Sequence, residues 1–215
     1  MKLYSYWRSS CSYRARIALE LKGVDYEYRA VDISPEQSQQ LEAEFAAING
    51  ARMVPVLELE GGERLTQSVA IIEFLDERYP EPALYPRDAL ERARVREAVE
   101  VINSSIQPLQ NLAVLKHVRG LAPAVTASAW SERWVVPGLT TLEGLSAERA
   151  GAFSVGERVT AADVFLVPHL YAARRFGVDV APFTRLAAIE QRLLELEAFQ
   201  RAHPDRQPDA PAAKP

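Results

Sequence analysis

Residues 2–23 read KLYSYWRSSCSYRARIALELKG and pass from an alternating pattern to a helical one. The alternation of apolar and polar side chains over residues 2–7 predicts a short strand. Apolar residues then recur at helical spacing until a glycine, which predicts a helix over residues 12–22. The stretch Ser9-Ser10-Cys11 therefore lies at a helix start, where unpaired backbone N–H groups and the helix dipole favour an anion such as a thiolate.

Strand-like and helix-like segments continue to alternate through residue 79. The patterns predict a strand over 26–31, a helix over 36–48, strands over 56–59 and 64–66 joined through Gly61-Gly62, and a helix over 68–78. A strand–helix–strand unit implies parallel pairing and the hairpin implies antiparallel pairing. Together they predict a mixed sheet of about four strands.

Beyond residue 79 the pattern changes to helices only. Three prolines within residues 79–86 exclude a helix interior or a central strand there. Helical periodicity then covers residues 93–118, 124–145, 161–176 and 185–202. The predicted fold class is α/β plus all-α, with an α/β domain over 1–79, a linker over 80–87, a helical domain over 88–203, and a proline-rich, extended or disordered tail over 204–215.

Composition excludes several classes of protein. The chain has 215 residues, 48% of them apolar, and a formal net charge of −4. That charge argues against broad binding to nucleic acid or to an anionic membrane, so any anion-binding pocket must be locally basic. A single cysteine forms no internal disulfide, and no apolar run has the length of a membrane span or signal peptide. We expect a soluble, cytoplasmic, untargeted protein.

The residues at the predicted helix start leave alternatives open. Ser9 or Ser10 is an N-cap on the simplest interpretation, and Cys11 is an inert buried cysteine or a reactive one. Arg14 occupies the second cysteine position of a C-x-x-C pair, which disfavours a dithiol redox centre. The three histidines have no metal-ligand spacing among themselves or with Cys11, so no metal site is predicted.

Taken in order, the motifs of this chain resemble the zeta class of the glutathione transferase superfamily, which includes maleylacetoacetate isomerase. The matching strings are SSCSYRARIAL at 9–19, MVPVL at 53–57, QSVAII at 67–72, IQPLQNL at 106–112, residues 163–168, RFGVD at 175–179, and residues 197–204. The resemblance covers most of the chain. It implies a thioredoxin-like N-terminal domain that binds glutathione and a C-terminal helical bundle that binds substrate.

The resemblance also implies roles for residues of the first domain. Ser9, Ser10 and Cys11 would stabilise the glutathione thiolate, with Cys11 in a supporting role. Val54 and Pro55 would form a cis peptide bond that presents the backbone of Val54 to the cysteinyl part of glutathione.

Two further contacts to glutathione are implied in this domain. Gln67 and Ser68 would hold the γ-glutamyl carboxylate at a helix N-terminus. Gln40 would contact the glycyl end, although its neighbour Gln39 competes for that role.

In the second domain, Gln107 and Asn111 lie four residues apart and would share a face of one helix. They form a polar surface or, by resemblance, line the glutathione and substrate site. Arg175 matches the family's substrate-carboxylate arginine, and Arg174 points about 100° away from it on a helix. Arg8 is a second candidate for binding a carboxylate.

The activity implied by the resemblance is glutathione-dependent isomerisation of maleylacetoacetate to fumarylacetoacetate, a step of tyrosine and phenylalanine catabolism. It would proceed by thiolate addition, bond rotation and elimination, with glutathione as a regenerated cofactor and a small dicarboxylate as substrate. The alternatives are maleylpyruvate isomerisation, transferase activity on α-haloacids, and a non-catalytic binding protein of the same fold. The family is also usually homodimeric, so a homodimer is expected.

Overall fold

The computed structural model describes residues 1–149 and 151–211. The chain divides into two compact units. One consists of Met1–Pro82 together with the described part of Leu196–Pro215, and the other consists of Ala83–Glu195.

The first unit is built around a four-stranded mixed sheet, as the sequence predicts. Its strands are β1 (Lys2–Ser5), β2 (Glu27–Ala30), β3 (Val56–Glu58) and β4 (Arg64–Thr66), in the order β2-β1-β3-β4. β1 pairs in parallel with β2, and the β1–β3 and β3–β4 pairs are antiparallel. Leu3 and Leu57 lie opposite each other at the centre, and both are fully buried.

The helices of this unit are α1 (Ser10–Leu21), α2 (Ala43–Ile48) and α3 (Ser68–Arg78). Every residue of α1 from Ser12 to Leu19 is buried, because α1 packs against α3 and against a helix near the C-terminus. The predicted helix over 36–48 is wrong in length. Ser38 adopts a left-handed conformation and Glu42 an extended one, which leaves a short 3₁₀ segment, Gln39–Leu41, before α2.

The described residues of the second unit form helices joined by loops, with no strand among them, as predicted. It contains α4 (Ala89–Glu100), a π-helical segment (Val101–Ile106), a 3₁₀ segment (Gln107–Gln110), α5 (Leu112–Leu121), α6 (Ala127–Arg149), α7 (Ala161–Arg175) and α8 (Thr184–Leu194). No helix of the described chain is both long and apolar enough to cross a membrane.

The helix predicted over 93–118 is interrupted rather than continuous. Pro108 has no backbone N–H to donate, and the chain passes through π-helical and 3₁₀ turns around it. Gly138 on α6 makes room for this detour. A Cβ placed on Gly138 would lie 2.1 Å from Cδ1 of Ile106, so a side chain there is incompatible with the present packing.

The start of α7 is fixed by a buried carboxylate. Asp163 accepts hydrogen bonds from the backbone N–H of Thr160 at 2.8 Å and of Ser154 at 2.9 Å. Burial raises the pKa of Asp163, and these hydrogen bonds act in the opposite direction. This is the folding role expected of an acidic residue at the third position of a helix.

The C-terminus differs from the sequence prediction. The helix predicted over 185–202 ends at Leu194, and a further helix, α9 (Glu197–Ala202), packs against α1 in the first unit. The segment after α9 is not an extended tail. Pro204–Arg206 forms a 3₁₀ turn, and the Gln207 amide donates to the backbone of α9 and to the carbonyl of His203.

The cause of this difference is burial. Phe199 and Ala202 are fully buried, so α9 and the segment after it are held on the first unit. The end of the predicted tail, residues 212–215, lies outside the described residues.

Candidate active site

The start of α1 carries the three residues predicted to face a thiolate. Ser9 is the N-cap, and its Oγ accepts a hydrogen bond from the backbone N–H of Ser12 at 3.2 Å. Ser10 and Cys11 follow in the first turn, and all three side chains are partly exposed. A hydroxyl that accepts one hydrogen bond still has its proton to donate. The capping role of Ser9 is therefore compatible with donation to an anion.

A buried guanidinium lies behind this helix start. Arg14 has no exposed surface, and its Nη1 contacts Sγ of Cys11 at 3.9 Å and Oγ of Ser68 at 3.4 Å. In the sequence, Arg14 stands out only as the residue at the second cysteine position of a C-x-x-C pair. The available signal was its spacing, since a residue three positions after Cys11 lies on the same helix face.

The start of α3 has an unusual backbone. Gln67 is the N-cap residue, with a φ of 68° in the left-handed region that non-glycine residues rarely occupy. No side chain caps this helix start, and Ser68 is its buried first residue. Strained backbone of this kind concentrates at ligand-binding sites. The first-turn N–H groups of α3 have no side-chain cap, and such groups favour an anion.

The remaining glutathione candidates of this unit lie just before β3 and in the 3₁₀ segment before α2. The Val54–Pro55 peptide bond is cis, as predicted, and both residues are buried immediately before β3. Gln39 uses its side-chain oxygen to accept a hydrogen bond from the backbone N–H of Asp32 at 2.8 Å. The Oε1 of Gln40 is buried and has no hydrogen-bond partner among the described residues. Of the two glutamines, Gln40 is therefore the one with an unused acceptor.

Arg8 lies in the turn between β1 and α1. Its guanidinium carbon is 5.6 Å from the ring centroids of both Tyr6 and Trp7, within cation–π range. The guanidinium thus contacts two aromatic rings, in the residue that precedes Ser9.

In the second unit, Gln107 and Asn111 are brought together as their spacing predicts. Nε2 of Gln107 donates to Oδ1 of Asn111 at 2.9 Å. They do not share one helix, because Gln107 opens the 3₁₀ segment and Asn111 is the N-cap residue of α5. Nε1 of Trp130 donates to the carbonyl of Leu109 at 2.8 Å and so holds the turn around Pro108.

The structure distinguishes the two arginines at the end of α7. Arg174 forms a bidentate pair with buried Glu190, in which Nη1 lies 2.7 Å from Oε1 and Nη2 donates to Oε2. This carboxylate raises the pKa of Arg174. Arg175 is exposed, and its guanidinium carbon lies 4.9 Å from the Phe176 ring centroid. Arg174 thus has a structural partner in Glu190, and Arg175 stays the predicted residue for binding an external carboxylate.

Among the described residues no group of three or more histidine, cysteine or acidic side chains could hold a metal ion. The first unit instead fits an anionic peptide thiol. It offers two helix N-termini linked by Arg14, and a buried acceptor on Gln40 that lacks a partner among the described residues. These groups suit a thiolate, a carboxylate and a peptide N–H, respectively.

Comparison with known proteins agrees with this chemistry. Residues 8–78 match the family model of the glutathione S-transferase N-terminal domain. Over 210 residues the chain is 45% identical to the maleylacetoacetate isomerase of Mus musculus. The aligned region covers 98% of this chain and 95% of that protein.

Two solved structures have the same fold over nearly the whole chain. The holo structure of a bacterial maleylpyruvate isomerase of the zeta class matches with a TM-score of 0.93 at 42% identity, covering 98% of this chain and 100% of that one. The maleylacetoacetate isomerase of Anaeromyxobacter dehalogenans 2CP-1, with dicarboxyethyl glutathione and citrate in its active site, matches with a TM-score of 0.86 at 48% identity, covering 98% and 97%. The chain therefore belongs to the glutathione transferase superfamily and, within it, to the zeta class.

Proposed function

We propose that this chain is a glutathione-dependent cis-trans isomerase that converts maleylacetoacetate to fumarylacetoacetate. The observation that carries the proposal is the pair of helix N-termini joined by buried Arg14. Whole-chain similarity to a mouse protein of that name supports the choice of substrate. So does a relative whose active site holds a glutathione derivative and a polycarboxylate.

When bound, glutathione supplies a thiolate that adds to the conjugated double bond, permits rotation about the resulting single bond, and leaves again unchanged. The hydroxyl of Ser9 donates a hydrogen bond to the sulfur. This charge-assisted hydrogen bond stabilises the ionised form of the thiol. Ser10 and Cys11 complete the first turn around the sulfur. The dipole of α1 and the charge of Arg14 add to the same stabilisation.

The remaining residues bind and orient. Gln67 and Ser68 hold the γ-glutamyl carboxylate at the start of α3, the backbone of Val54 beside Pro55 pairs with the cysteinyl residue, and Gln40 meets the glycyl end. In the second unit Gln107 and Asn111 contribute polar groups to the glutathione and substrate site, by resemblance to the family.

The substrate is a dianion, and arginines are proposed to bind it. The planar guanidinium of Arg175 pairs with one carboxylate in bidentate fashion, and Arg8 is the candidate for the other. Since the net charge of the chain is −4, local arginines must provide the attraction. By resemblance to the zeta class, we further propose that the enzyme works as a cytoplasmic homodimer. Light scattering on the purified protein tests whether it is a dimer.

Maleylpyruvate isomerisation is the second candidate, favoured by the TM-score of 0.93 to an enzyme of that name. The chemistry is the same and only the side chain of the substrate differs. By family resemblance, maleylpyruvate isomerases would have a histidine and paired arginines in the helical domain. This chain has Gln107, Asn111, Leu112 and Ala113 there. The difference favours maleylacetoacetate as the substrate. Transferase activity on α-haloacids would use the same site.

The deciding experiment compares kcat/KM for maleylacetoacetate and maleylpyruvate with glutathione present. We expect the higher value for maleylacetoacetate, and a clear preference for maleylpyruvate would reverse the assignment. Calorimetric titration with glutathione tests the non-catalytic alternative, because a binding protein that has lost the cofactor site would show no heat of binding.

A further inference from the structure

The turn between β1 and α1 sets the position of Ser9, and a buried arginine holds its backbone. The backbone N–H of Ser9 donates to the carbonyl of Tyr6 at 3.0 Å. Arg16, which has no exposed surface, donates to the carbonyl of Trp7 at 2.8 Å and to that of Tyr6 at 3.4 Å. It also donates to the carbonyl of Ala202 at the end of α9, at 3.0 Å.

A carboxylate from the far end of the chain holds the same turn from the other side. Oδ2 of Asp209 accepts the backbone N–H of Trp7 at 3.0 Å, and Oδ1 accepts the hydroxyl of Tyr28 at 2.7 Å. Tyr28 lies on β2, in register with Leu3 of β1. Asp209 therefore connects the C-terminal segment, the sheet and the turn.

Together these contacts place one peptide group between two opposite charges. The carbonyl of the Tyr6–Trp7 peptide faces the guanidinium of Arg16, and its N–H faces the carboxylate of Asp209. Hydrogen bonds to ionised groups are stronger than neutral ones, and hydrogen bonds in a chain polarise one another. Burial lowers the pKa of Arg16, whereas the charge of Asp209 acts to raise it.

We propose that Asp209 is a positioning residue for the thiolate site: it holds the turn over residues 6–9 in the conformation that presents Ser9 to the sulfur. The inference rests on the proposed use of glutathione by this chain. The sequence predicts an extended tail after α9. With this inference, that segment contributes to activity by positioning Ser9. Displacements of about 1 Å in a supporting contact reduce catalysis severely, so a local change in this turn is sufficient.

The test compares Asp209→Ala and Asp209→Asn with Asp205→Ala. Asp205 lies in the same segment with an exposed side chain, and its replacement removes the same charge without touching Trp7. Three quantities are measured well below the unfolding temperature: amide hydrogen exchange at Trp7 and Ser9, the Kd for glutathione, and the pKa of the bound thiol from thiolate absorbance.

For Asp209→Ala we expect about tenfold faster exchange at both amides and about tenfold weaker glutathione binding, the equivalent of one charge-assisted hydrogen bond. The pKa of the bound thiol should rise. Asp209→Asn keeps an oxygen acceptor without the charge and should fall between the wild type and Asp209→Ala. Asp205→Ala should match the wild type.

Two results would overturn the inference. One is amide hydrogen exchange in Asp209→Ala that equals the exchange in Asp205→Ala. The other is faster amide exchange in Asp209→Ala with unchanged glutathione affinity and an unchanged pKa of the bound thiol, which would make Asp209 merely structural. If Asp209→Ala does not fold, Asp209→Asn and Tyr28→Phe, which removes one of the two bonds to the carboxylate, decide by the same criteria. A wild-type protein that binds no glutathione would instead refute the proposed function, and the exchange comparison would still decide whether Asp209 holds the turn.

Discussion

Nη1 of Arg14 lies 3.4 Å from Oγ of Ser68, so one buried guanidinium links the first turns of α1 and α3. The same atom is 3.9 Å from Sγ of Cys11. Helix starts attract anions through their N–H groups and dipoles, and a buried positive charge between two of them strengthens both. A ligand that carries a thiolate and a carboxylate suits such a pair of positions.

Replacing Arg14 by methionine should weaken glutathione binding about tenfold, because a charged group behind two anion positions is lost. Methionine keeps much of the volume and adapts to irregular packing, so the variant tests the charge with little change in shape. Calorimetric titration measures the Kd, with thermal unfolding as the check on folding. An unchanged Kd in a folded variant would show that Arg14 does not act on the ligand.

Ser9→Ala should have two separable effects. Loss of the N-cap should cost about 1 kcal/mol of stability, measured by urea unfolding without ligand. Loss of a donor to the sulfur should raise the pKa of bound glutathione and lower kcat at neutral pH. Ser10→Ala serves as the matched control for the cap, because Ser10 does not fill that position. If Ser9→Ala costs stability but leaves the bound thiol pKa unaltered, Ser9 is a cap alone.

Arg175→Ala and Arg174→Ala should separate substrate binding from stability. Arg175→Ala should raise KM for the dianionic substrate about tenfold or more and change the Kd of glutathione little, since one bidentate pair to a carboxylate is lost. Arg174→Ala should instead lower the unfolding temperature, because buried Glu190 loses its partner. Equal losses of substrate and glutathione affinity in Arg175→Ala would make Arg175 structural.

Gly138→Ala should destabilise the second unit by about 1–3 kcal/mol, because the added methyl would overlap the side chain of Ile106. Ile106→Ala removes the two atoms that would clash, Cδ1 and Cγ1, at the cost of a cavity. The double variant should therefore lose less stability than the two single losses added together. Urea unfolding of all four proteins gives this coupling, and strict additivity would contradict the close contact.

Local patterns were sufficient for most of the fold. Alternation and helical spacing predicted the four strands of the mixed sheet, the helix after Ser9 and the helical second unit, because these periods report which side of an element is buried. They failed where backbone geometry interrupts a pattern. Ser38 and Glu42 shorten the predicted helix over 36–48, and the turns around Pro108 divide another.

The sequence by itself determined most of the secondary structure, the family and the residue types offered to a thiol and a carboxylate, since each is encoded in neighbouring positions. Only the tertiary structure decided which polar groups meet. It placed Arg14 between two helix starts, gave Arg174 to Glu190, and brought Asp209 to Trp7 across 202 positions of chain. Such contacts depend on distances of a few ångströms between residues that share no local period, so they are settled only when the chain closes on itself.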